Sequence, residues 1–128
     1  GDVKYSLGFG PSYEEVFGEK HSNRKSSAVF EVSIFENNTS LDSFVKKTES
    51  MLGGIEHTLE IVGTERVAGI SAKVARVCNM GGYCDKKLYF IHGEYLYVID
   101  MDNYFGLENE VIKNGLDRML ASFSFSTK

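Results

Sequence analysis

Apolar and polar positions are most regularly patterned over residues 86–101, KKLYFIHGEYLYVIDM. Two aromatic and aliphatic runs, residues 88–91 and 95–99, flank His92-Gly93-Glu94. β-Branched and aromatic side chains suit a pleated surface, and a short glycine-bearing break between two such runs predicts a hairpin. With that break, alternation assigns Leu88, Phe90, Leu96 and Val98 to one face. Tyr89, Ile91, Tyr95, Tyr97 and Ile99 fall on the other. Both faces are largely apolar, so these strands are expected near the centre of a sheet covered on both sides.

The pattern elsewhere fits around that hairpin. Residues 3–16 read as an extended stretch broken at Gly10-Pro11, because a proline disfavours helix in the residue before it. The polar, serine-rich residues 19–27 read as a loop. Residues 28–35 form a predicted strand with Ala28, Phe30, Val32 and Ile34 on one face. Asn37-Asn38-Thr39-Ser40 is turn and cap chemistry, with Ser40 placed to accept a hydrogen bond from a free amide at a helix start. The helix expected at 41–52 carries a stripe of Leu41, Phe44, Val45, Thr48, Met51 and Leu52, and turns Lys46, Lys47 and Glu49 to water. Gly53-Gly54 ends it. Residues 59–62 and 71–78 read as strands around a turn near Ala68-Gly69, followed by a glycine-bearing tip at 79–82. A second helix, at 106–121, is marked by Leu107, Val111, Ile112, Gly115, Leu116, Met119, Leu120 and Phe123. A glycine inside such a stripe costs about 1 kcal/mol and predicts close approach to the sheet. Residues 122–126 alternate, as a short last strand or an extended tail. Strands, helix, a run of strands, then helix imply an α+β fold with an antiparallel sheet flanked by two main helices, without the strand–helix alternation of parallel sheets.

At 128 residues the chain is expected to form one domain spanning 1–128, and it has no apolar run near the ~18 residues that cross a bilayer. A net charge of −4, with the lysines and arginines scattered, argues against nucleic acid, where phosphate neutralisation supplies most affinity.

Cys78 and Cys84 stand on either side of the tip. Paired strands would bring them together as a disulfide closing a small ring, stabilising by about 2 kcal/mol and implying an oxidising compartment. Free thiols remain an alternative, and so does a metal or redox pair, although the spacing is not C-x-x-C. His21, His57 and His92 are isolated from one another, so no metal ligand set is expected. Asp100, Asp102 and Asn103 with Glu108 resemble part of a calcium loop. Tyr104 and Phe105 then occupy the places where an EF-hand needs an oxygen ligand and a glycine. Strand-end acids leading into a helix cap are the simpler expectation. No G-x-S-x-G, phosphate loop or H-E-x-x-H is present, and neither catalytic residues nor a cofactor is expected. Tyr89, Tyr95, Tyr97 and Tyr104 form a candidate interaction surface, since tyrosine joins apolar area to a polar tip. A half-covered sheet face would use them equally well.

Several pieces in order resemble the PsbP-like domains. These are YSLGF (residues 5–9), SLDSF (40–44) at a helix start, VAGISA (67–72), the strands at 87–90 and 95–99, and LASFSF (120–125). At Gly10-Pro11-Ser12-Tyr13 the chain is shorter than the Tyr-Pro segment of that family. The resemblance implies an α/β/α sandwich and a non-enzymatic extracytoplasmic domain of the cell envelope, or a secreted one. It would act on an unknown protein partner in assembly, stabilisation or a chaperone-like role, with a membrane tether outside these residues. A small-ligand or metal-binding module of the envelope is the alternative.

Overall fold

A computed structural model describes residues 3–9, 30–37, 39–51, 57–79 and 81–125. Its elements are β1 (Val3–Phe9), β2 (Phe30–Glu36), α1 (Leu41–Met51), β3 (His57–Val67), β4 (Ile70–Asn79), β5 (Cys84–His92) and β6 (Tyr95–Met101). A 3₁₀ turn (Tyr104–Gly106) and α2 (Glu110–Ala121) follow. The fold is α+β, with an antiparallel sheet ordered β1-β2-β6-β5-β4-β3. After β2 the chain passes through α1 to the opposite edge of the sheet. It then returns as a meander of three hairpins that ends by pairing β6 with β2.

Among the described residues, one helix packs on each face. Leu116 and Leu120 of α2 lie over Phe30, Val32, Val74, Leu88, Phe90, Ile99 and Met101. Phe44 and Val45 of α1 lie over Ala75, Val77, Tyr89, Leu96 and Val98. Each large apolar side chain removed from water here stabilises the fold by roughly 1.5–3 kcal/mol. The two strands of the 86–101 region are central as expected, and Leu88, Phe90, Leu96 and Val98 are all buried.

Their grouping by face is corrected. Leu88 pairs with Ile99, Tyr89 with Val98 and Phe90 with Tyr97. Leu88 and Phe90 therefore share the α2 face with Tyr97 and Ile99, while Leu96 and Val98 share the α1 face with Tyr89 and Ile91. His92 is the last residue of β5, which leaves a turn of two residues, Gly93 and Glu94. Gly93 has φ 63°, as the first place of a II′-type hairpin turn requires. Moving the turn by one residue exchanges the faces of a whole strand.

A second change of parity occurs inside β3. Leu59 faces α1, yet Val67, also an odd-numbered residue, faces α2. A bulge between Ile61 and Gly63 inserts Val62 without a partner on β4 and exchanges the faces beyond it. The β3–β4 turn lies at Ala68 (φ 51°) and Gly69 (φ 82°), where both residues take the left-handed conformation of a I′ turn.

Ser40 caps α1: its Oγ accepts from Ser43 N at 3.1 Å. The second helix starts later than expected, at Glu110. Asn109 is its N-cap, with Oδ1 accepting from Val111 N and Ile112 N at 3.0 and 3.2 Å. Leu107 is extended and lies outside the helix, and Val111, expected in the stripe, is 76% exposed. Residues 123–125 form no strand. Phe123 and Phe125 instead fold over Phe90 and Tyr97, and Phe125 stacks on His92 at 3.7 Å. The stretch expected at 10–27, Ala28, and the helix end expected at Leu52, Gly53 and Gly54 lie outside the described residues.

Gly115 was expected to mark close approach to the sheet, but a Cβ there would meet nothing within 4 Å. Gly115→Ala should therefore stabilise the protein by about 0.5–1 kcal/mol through lower chain entropy in the unfolded state. Urea unfolding measures this, and a lower midpoint would reveal a contact at that position.

Candidate functional site

The β5–β6 register pairs Lys87 with Asp100, and Lys86 with Met101. Leu88 and Met101 face α2, so Asp85, Lys87 and Asp100 fall on the α1 face near the open end of the hairpin. One residue beyond β6, Asp102 completes a group of three carboxylates. One oxygen from each of Asp85, Asp100 and Asp102 lies within 4.8 Å of the others.

The turn after β6 holds this arrangement in place. Asn103 takes a left-handed conformation (φ 47°, ψ 33°), which asparagine tolerates better than most residues. Its amide donates to Asp85 Oδ1 at 2.7 Å, and its Oδ1 accepts from Cys84 N at 2.8 Å. Asp102 and Asn103 are both buried. A Cβ on Gly106 would come within 2.6 Å of the Asn103 side chain, so glycine is needed where the turn closes over it.

Asp100 is the strained member of the group. Its Oδ2 lies 3.7 Å from Lys87 Nζ. Its Oδ1 is cut off from solvent and has no hydrogen-bond partner among the described residues. Burial pushes its carboxyl up to about 7; Lys87 opposes the rise, and Asp85, Asp102 and Glu31 add to it. On the same face Tyr89 is fully buried, and its hydroxyl also lacks a partner. Burial raises that hydroxyl's pKa, and the Asp100 charge raises it further.

The strand-end acids lead into Asn103, the N-cap of the 3₁₀ turn, which makes no side-chain cap bond; α2 has its own cap at Asn109, and Asp100 and Asp102 turn inward toward β5. Glu108 is exposed and outside the group. Asp85, 15 residues upstream of Asp100, was missed because nothing local marks it. One signal for Asp100 was legible: a polar residue on the buried side of a central strand.

Cys78 and Cys84 pair directly across β4 and β5 and form a disulfide. The Asn79 amide donates to Tyr83 O at 3.0 Å, and the Tyr83 amide to Asn79 Oδ1 at 3.2 Å, which shapes the tip between them.

The four candidate tyrosines do not make one surface. Tyr89 is buried under α1, where its ring meets Phe44 at 6.1 Å, because the register points it into that face. Tyr97 is half-buried on the other face, stacked on Phe90 at 5.2 Å. Tyr104 sits at the far end of the hairpin, flanked by Lys86 and Lys113, with its hydroxyl donating to Asp117 at 2.7 Å. Tyr95 is 37% exposed beside the Gly93-Glu94 turn. Of the histidines, His92 stacks on Phe125, the side chain of His57 is not described, and His21 lies outside the described residues.

Exposed apolar side chains occur on the edge strand as well as at Phe105 and Val111. Ile61 and Val62 are 46% and 45% exposed. Ile61 also lines a cavity of about 280 Å³ with Asp42, Val45, Lys46, Leu59 and Lys73. Lys73 Nζ lies 3.0 Å from Asp42 Oδ1 at that opening.

The chain matches no family model, and neither the curated proteins nor the solved structures contain a match to it. No helix among the described residues is long and apolar enough to cross a membrane.

Two expected outcomes follow from this geometry. The disulfide closes a ring at a sequence separation of 6, so Cys78→Ser with Cys84→Ser should cost about 2 kcal/mol and leave the fold intact. Denaturant unfolding gives the cost, and thiol titration should find free sulfhydryls only after reduction. Two reactive thiols in oxidised native protein would contradict the pairing.

Asp100 binds its proton more tightly in the folded chain than at its ordinary value of 3.8. Its contribution is therefore fully present at low pH and is lost as pH rises through about 7. Asp100→Asn should gain on the wild type between about pH 5 and pH 8 by roughly 2–4 kcal/mol. Urea unfolding in chelator-treated buffer at several pH values tests this. A difference that stays constant over that range would show that Asp100 ionises normally.

Proposed function

We propose that the chain is a non-enzymatic, extracytoplasmic domain of PsbP-like α/β/α architecture that works through protein–protein contacts. The observation that carries this reading is the outer edge of β3. It is an 11-residue strand at the end of the sheet, with no strand beyond it among the described residues. Ile61 and Val62 stand half-exposed on it, one on each side of the point where the bulge begins.

An open edge offers a row of backbone donors and acceptors to an added strand, while neighbouring side chains supply selectivity. The cavity beneath Ile61, apolar at Val45 and Leu59 and charged at Asp42, Lys46 and Lys73, suits a side chain reaching in from such a partner. The bulge at Val62 and the charges of Glu60, Glu65 and Arg66 limit pairing to partners that match them. The disulfide supports an oxidising compartment for this encounter.

Site-specific photocrosslinking in the native host tests the proposal. A crosslinker at position 61 or 62 should give a discrete protein adduct, and one at Val111, exposed on α2, should not. Ile61→Lys with Val62→Lys should reduce adduct formation from a neighbouring β3 position at least tenfold while the circular dichroism spectrum stays unchanged. Equal labelling from Val111, or no adduct from β3, would remove the β3 edge as the contact surface.

A further inference from the structure

We propose that Asp85, Asp100 and Asp102 bind a hard divalent cation of the calcium class at the open end of the β5–β6 hairpin. This inference is independent of the β3 contact surface.

The first observation is convergence. Three carboxylates from two strands and a turn place oxygens within 4.8 Å of one another. Calcium–oxygen distances near 2.4 Å allow ligands on opposite sides of one ion to stand about 4.8 Å apart. Three oxygens no more than 4.8 Å apart lie within about 2.8 Å of a common point, close to the 2.3–2.6 Å of calcium ligands, and carboxylate donors select calcium or magnesium over softer metals.

The second observation is independent of the clustering. Asp100 Oδ1 is shut off from water without a hydrogen-bond partner among the described residues, although Lys87 approaches the other oxygen of the same carboxylate. A buried acceptor without a donor is costly, and a buried charge needs a partner or a metal. Tyr89, wholly buried on the same face and within the influence of the Asp100 charge, likewise has a hydroxyl without a partner. A cation coordinated by Oδ1 would give that oxygen its missing partner and leave Oδ2 beside Lys87.

The scaffold around the group is already fixed. Asn103 ties Asp85 to the turn, and the disulfide at Cys84 anchors the residue preceding Asp85. Little ordering would accompany binding, because two of the three ligand-bearing segments are held by these bonds. The ligands follow no contiguous loop, so this is not an EF-hand. An affinity in the range of extracellular calcium modules, with Kd of about 0.1–1 mM, fits three carboxylates without a twelve-residue loop.

The test uses the oxidised protein, freed of metal with a chelator and titrated with CaCl₂ and separately with MgCl₂. Isothermal titration should show one site, and millimolar cation should raise the melting temperature beyond the change produced by NaCl at equal ionic strength. Asp100→Asn should weaken binding at least tenfold, and Asp85→Asn or Asp102→Asn should do the same. The quantity compared is the cation-dependent shift within each variant, so a change in baseline stability does not enter. Glu108→Gln, exposed and outside the group, should bind as the wild type does. Absence of binding to both cations at 10 mM, taken as about ten times the upper Kd above, would overturn the site. Binding undiminished in Asp100→Asn would overturn it equally.

Discussion

The pairing of β5 with β6 through a two-residue turn is the constraint on which the rest of this structure depends. Gly93 accepts a positive φ, His92 and Tyr95 face each other, and every later pair follows by antiparallel geometry. That register sends Phe90 and Ile99 to α2, and Tyr89 and Val98 to α1. It also sets Asp100 opposite Lys87, on the same face as Asp85. A hairpin one residue longer would exchange the faces of one strand, setting Asp100 on the α2 side and Met101 on the α1 side.

Closure of the sheet adds a long-range requirement. β2 is separated from β6 in sequence by the whole meander, yet seven residue pairs, from Phe30–Met101 to Glu36–Tyr95, hold them together. The connection through α1 must cover the face of β4, β5 and β6, and so α1 carries Phe44 and Val45 on one side and Lys46 and Lys47 on the other. β3 is left at the edge. Its bulge lets one strand serve both layers, with Leu59 contributing to one core and Val67 to the other. The exposure of Ile61 and Val62 accompanies this change of face.

The same geometry concentrates polar cost at one place. Most interior positions of β5 and β6 are apolar, but Asp100 and Tyr89 keep buried oxygens without partners on the α1 face. A carboxylate in such surroundings is neutralised by a proton, by a cation, or by both at different pH. Hydrophobic packing on either side holds the group there, since relieving it would require β6 to leave the centre of the sheet.

Local chemistry was legible in the sequence. Alternation in residues 88–91 and 95–99 identified central strands, the stripe through Phe44 and Val45 identified a surface helix, and Ser40 identified its start. Cys78 and Cys84 around a glycine-bearing tip pointed to a cross-strand bond. Each of these is decided by near neighbours and by a period of two or 3.6 residues. Tertiary structure decided the parity of the hairpin, because a single residue assigned to turn or strand reverses it without changing composition. It decided the face of Val67, because Val62 has no sequence mark as a bulge. It decided that Tyr89 is enclosed while Tyr95 is exposed, although both sit in the same aromatic pattern. It also brought Asp85 to Asp100 and Asp102, because the distance between side chains on paired strands is set by hydrogen-bond register, and sequence separation does not record it.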